Sequence, residues 1–99
     1  MQENNIKTIF LDENLSVKAA ETLFESLCEY IGQPLDINAA EVKHLDAPCA
    51  QLLVSAKMSF ESTNTPFEIT APSAEFIESL TTLGLAESLS LIPELDHVS

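Results

Sequence analysis

Three short runs that read as strands, the first by β-branched and aromatic enrichment and the others by alternation, each followed by a stretch with helical spacing, constrain this chain more than any other feature. Ile6–Leu11 (IKTIFL), Leu35–Ala40 (LDINAA) and Phe67–Ala71 (FEITA) read as strands. In the second, Leu35, Ile37 and Ala39 alternate with Asp36, Asn38 and Ala40. In the third, Phe67, Ile69 and Ala71 alternate with Glu68 and Thr70. That is the period of a strand with one apolar face. After each run, apolar residues recur three and four apart. They are Val17, Ala20, Phe24, Leu27, Cys28 and Ile31, then Leu52, Leu53, Ala56 and Phe60, then Phe76, Ile77, Leu80 and Leu83. The spacing predicts amphipathic helices over Val17–Ile31, from Asp46 to about Ser62, and from Ser73 to Gly84. Ser16, Asp46 and Ser73 are the expected N-caps, Gly32 and Gly84 the expected stops, and Pro48 is tolerated in a first turn. Asp12–Ser16, Glu41–Leu45 and Thr63–Pro66 read as turns or short loops. Leu85–Leu91 predicts a further short helix or turn. Residues 1–5 are expected to be a flexible N-terminus and residues 92–99 a loose acidic tail.

The β-α-β-α-β-α order predicts an α/β domain. A small, mostly parallel sheet with helices mainly on one face is expected, because right-handed crossovers return each helix to the same side. A length of 99 residues fits one domain, and 45% hydrophobic residues suffice for a packed core. No apolar run approaches the roughly 18 residues of a membrane span. No basic segment leads into an apolar one as in a secretory signal, so a cytoplasmic protein is expected.

Charge and composition narrow the function. Sixteen acids stand against four lysines with no arginine, a net charge of −12. Such a surface opposes nucleic acid and anionic lipid. It favours a protein partner with a basic surface through steering, or serves solubility alone. With Gly32 and Gly84 the only glycines, a Gly-rich phosphate loop is excluded. Without arginine there is no bidentate clamp for phosphate or carboxylate. His44, His97, Cys28 and Cys49 show neither metal-ligand spacing nor a C-x-x-C pair, and no G-x-S-x-G turn occurs. No enzyme activity, no metal and no cofactor are expected.

One stretch stands out, HLDAPCAQLLVSA at residues 44–56. It brings a histidine, a carboxylate, a proline and a thiol to a helix entrance. A cysteine in a first helical turn can have a lowered pKa and act as a nucleophile or sensor. Asp46 opposes the thiolate, however, and small cysteines fill cores, so packing is the preferred reading of Cys49. Cys28, on the apolar stripe of the first helix, is expected in the core. His44 reads as a solvated loop histidine. The acidic helix faces, with Glu21, Glu25, Glu29, Glu75 and Glu78, read as solvated.

The stretch VKHLDAPCAQLLVSA, taken with the order of elements, resembles the STAS domain, the fold of bacterial anti-sigma-factor antagonists. Val42 and Leu45-Asp46 match the family's loop, and Leu52 and Leu53 match its following helix. PFEITAPSAEFIESLTTLGL resembles its closing strand and helix, and the likeness spans roughly residues 6–90. In kinase-regulated members the residue after the aspartate is a phosphorylated serine, where this chain has Ala47. The next positions, commonly Ser or Thr, Gly and Leu, hold Pro48, Cys49 and Ala50. The family's extra N-terminal strand has little room in residues 1–5. Short standalone STAS proteins encoded with chemotaxis systems are similar in being short and in lacking the phosphoserine.

The resemblance implies a non-catalytic signalling module. Its partner would be a kinase (a chemotaxis kinase among them) or an anti-sigma factor. The docking surface would comprise His44, Asp46, Ala47, Pro48, Cys49 and Ala50, with no phosphorylation site. The alternative is a cytoplasmic STAS subunit of a membrane lipid transporter. A Cys49 thiol sensor is a third reading. An exposed first-strand edge could also pair two chains as a homodimer.

Overall fold

The computed structural model describes residues 6–89. The chain runs through β1 (Lys7–Phe10), β2 (Asn14–Leu15), α1 (Ala19–Glu29), β3 (Leu35–Asn38), β4 (His44–Leu45), α2 (Ala47–Ser62), β5 (Phe67–Thr70) and α3 (Ala74–Leu83). A single 3₁₀ turn, Glu87–Leu89, follows. The expectations for residues 1–5 and 92–99 lie outside the described residues.

The main sheet has the order β1-β3-β5, and both pairings are parallel. Its register aligns Ile9, Ile37 and Ile69 across the strands, with Leu35 opposite Phe67. Leu35 and Ile37 are buried at the centre of this apolar face, together with Leu23 and Leu27 of α1, Leu53 and Phe60 of α2, and Phe76 and Leu80 of α3. Thr8, Asp36 and Glu68 align on the opposite face, and none of them is buried. The alternation seen in the sequence therefore divides the sheet as expected. One face carries the helices and the core, and the other is open and mostly polar, with Phe10 exposed on its β1 edge.

Three local expectations need correction. The third strand ends at Thr70 because Ala71 turns into left-handed backbone, φ 50°. Ser16 is not a cap. Helix α1 starts three residues later, and the Ser16 carbonyl accepts the Ala19 N–H at 2.9 Å. Just before Ser16, Asn14–Leu15 pairs in parallel with His44–Leu45 in a second, two-stranded ladder. Two residues are too few for any periodicity to reveal.

The largest correction concerns α1. Its buried residues are Leu23 and Leu27, four apart and facing the sheet. Cys28, expected in the core, is exposed, and Phe24 and Ile31 are 53% and 59% exposed. The apolar stripe is wider than the contact it makes. Leu23 sets the rotation of the helix, and the outer half of the stripe stands clear of the core. Leu83 of α3 is likewise 39% exposed, at the end of a helix that buries Phe76 and Leu80.

The start of α3 follows its sequence signals. The Ser73 hydroxyl accepts the Phe76 N–H at 3.0 Å and donates to the Val42 carbonyl at 2.6 Å. It thus caps the helix and ties it to the segment leading into α2. Gly84 ends α3 in left-handed backbone, φ 76°.

Candidate docking site at the start of helix α2

Helix α2 begins directly after β4, so whatever holds β4 also positions the helix start. Val42 and Leu45 are buried and anchor the segment from below. From the side, the Lys43 and His44 N–H groups donate to the Glu13 carbonyl at 2.8 and 3.0 Å, and the Asp46 N–H donates to the Leu15 carbonyl at 2.9 Å. The Cys49 thiol donates to the Ser16 carbonyl at 3.4 Å. The segment 13–16 is therefore a brace for the helix start, built mostly from backbone. Sequence reasoning passed over it because backbone carbonyls leave no residue signature.

Cys49 is fully buried. Burial raises its thiol pKa, and the neighbouring Asp46 carboxylate raises it further. A thiol that donates a hydrogen bond is protonated, so its role here is packing. The lowered pKa that a sensor needs is contradicted by both causes.

Asp46 occupies the N-cap position in extended backbone, φ −89° and ψ 160°, and its carbonyl accepts the Ala50 N–H at 3.1 Å. Its side chain does not cap. Oδ1 lies 2.7 Å from Nε2 of His44 instead. Pro48 supplies a physical reason. An N-cap side chain addresses the second or third helical N–H; here the second residue is a proline with none, which leaves only that of Cys49 to compete with His44. The carboxylate thus faces outward, paired with a histidine that is itself largely exposed. His44 is solvated as expected, but not alone.

The six residues expected to form the docking surface separate in the structure. His44 and Pro48 are exposed, and Asp46 and Ala47 are half-buried. Cys49 and Ala50 have no exposed area. They point inward beneath the brace, which leaves His44, Asp46, Ala47 and Pro48 open to solvent at this helix start. A carboxylate at the cap and a missing N–H in the first turn also remove the two features that make a helix start receptive to phosphate.

Among the described residues, no three His, Cys, Asp or Glu side chains gather as metal ligands would. No described helix is long and apolar enough to cross a membrane. What the fold and this site define is a small α/β regulatory or interaction module with a braced, surface-exposed helix start. The profile of the STAS domain matches residues 2–98, nearly the whole chain, and the chain belongs to that family. STAS domains are generally non-catalytic regulatory modules. No curated protein matches the sequence.

Proposed function

We propose that the protein is a bacterial cytoplasmic signalling module that docks a kinase or an anti-sigma factor through His44, Asp46, Ala47 and Pro48, without being phosphorylated there. The observation that carries this reading is the outward-turned Asp46 carboxylate, paired with His44 rather than with its own helix. A partner meets it on a support braced by the segment 13–16. No hydroxyl lies between Asp46 and Ala50 to receive a phosphoryl group. Added phosphate would bring nearly two negative charges beside Asp46, and this chain has no place for that switch. Binding is then constitutive, set by abundance or by the partner's own state. The net charge of −12 matches a basic partner surface, such as a chemotaxis kinase could present.

The test uses the partner recovered by co-purification. Ala47→Glu places a second acid in the contact and should weaken binding about tenfold or more, about 1.4 kcal/mol. Unchanged affinity moves the docking site elsewhere. After incubation with a partner kinase and ATP, mass spectrometry should find no phosphate on the chain. Phosphate on Ser55 or Ser59 of α2 overturns the constitutive part. Recovery of a transporter ATPase in place of a signalling protein would replace the kinase reading with the transporter one.

A further inference from the structure

Helix α1 carries more apolar surface than the fold uses. Phe24 is 53% exposed on the helix, and Ile31, two residues past its end, is 59% exposed. The outer part of this stripe lines one bank of an open groove, and α2 supplies the other. Phe24, Cys28 and Ile31 face Leu52, Ala56 and Phe60 across it. The groove continues along the same helix pair to Ala20, Glu21 and Pro48. From Pro48 to Phe60 it spans about 18 Å at helical rise, enough for about three turns of a guest helix.

Charge says what can lie there. Among the described residues, Glu21 is the only charged one lining the groove, Glu25 stands exposed on the same helix, and no lysine lines either bank. A second copy of the chain would bring another −12 and the same acidic rim against the first. A helix with an apolar seam and lysine or arginine flanks satisfies both the floor and the rim.

We infer that the α1/α2 groove binds an amphipathic, basic-flanked helix of a partner protein, as a contact surface additional to the α2 start. It rests on the proposed function only in taking the partner to be a protein.

Cys28 makes the groove measurable in the unmodified protein. It is exposed and lines the floor, whereas Cys49 is buried. The probe is a synthetic peptide of about 14 residues, with leucine at the a and d positions and lysine elsewhere. Its control is a scrambled peptide of the same composition, and the reagent is neutral iodoacetamide. The seam peptide should slow Cys28 alkylation about tenfold at about ten times its Kd, by mass action. The scrambled peptide should leave the rate unchanged.

Phe24→Glu separates apolar docking from charge attraction. It adds an acid to the rim, so attraction alone would strengthen protection, whereas groove binding predicts its loss. Phe24 is more than half exposed, and unchanged thermal melting confirms that the variant folds. Equal protection by the scrambled peptide overturns the inference, as does protection that survives Phe24→Glu. A Cys28 rate that falls with protein concentration alone, alongside a dimer in ultracentrifugation, overturns it in favour of a second copy. With the co-purified partner, affinity lost in Ala47→Glu but kept in Phe24→Glu refutes the groove alone. The converse refutes the α2-start reading alone.

Discussion

Cys49 shows how much one residue's role depends on what surrounds it. A thiol in a first helical turn has an N-terminal dipole to lower its pKa, and the sequence shows that much. In the fold the thiol is buried, donates to the Ser16 carbonyl and lies near Asp46, and its pKa is raised. The folded protein then keeps this proton to higher pH than the unfolded chain does. The corresponding stability is fully present below the ordinary thiol pKa of about 8.5 and is lost as pH rises through the folded value. Urea unfolding of wild type and Cys49→Ala should show this directly. The stability gap between them should narrow from about pH 7 to about pH 10, and a constant gap would remove the proton from the account. Asp46 teaches the same lesson. Its type and position both say N-cap, but a proline at the second helical residue and a histidine two residues upstream redirect the carboxylate.

At the scale of the element, the starts of α2 and α3 form a natural pair. Both put a good capping residue in extended backbone, and only Ser73 closes the side-chain bond to its helix. Ser73→Ala should therefore cost about 1 kcal/mol or somewhat more, since the bond to the Val42 carbonyl is lost with the cap. Asp46→Ala should cost less than Ser73→Ala, because the Asp46 side chain makes no bond to its own helix and its partner His44 is exposed. Denaturant midpoints of the two variants decide the order, and equal losses would mean that Asp46 caps in solution. The helices themselves were legible from spacing, and α2 ends at Ser62 as expected. The rotation of α1 was not. Spacing locates a stripe but not which of its edges meets the sheet. Leu23, outside the stripe as drawn from the sequence, turned out to hold the inner edge.

For the whole molecule, charge is the term that no single contact absorbs. Among the described residues, Lys57–Glu61 is the lysine–carboxylate ion pair, against a net charge of −12 over the chain with histidine neutral. Self-repulsion of that size opposes the compact state. Raising NaCl from about 0.01 M to about 0.15 M shortens the Debye length from about 30 to about 8 Å and should raise the melting temperature. The same salt should weaken the basic partner's binding. A melting temperature that falls with salt would contradict the repulsion. The sequence by itself determined the order of the three main strands and three helices, the apolar face of the sheet, and the excess of acid. These follow from local periodicity and composition, which the chain carries wherever it goes. Only the tertiary structure decided the pairing of Asn14–Leu15 with His44–Leu45, the burial of Cys49, the turn of Asp46 toward His44, and the exposure of Phe24, Cys28 and Ile31. Each depends on backbone groups and helix rotations set by segments distant in the chain, and those leave no pattern in the neighbouring residues.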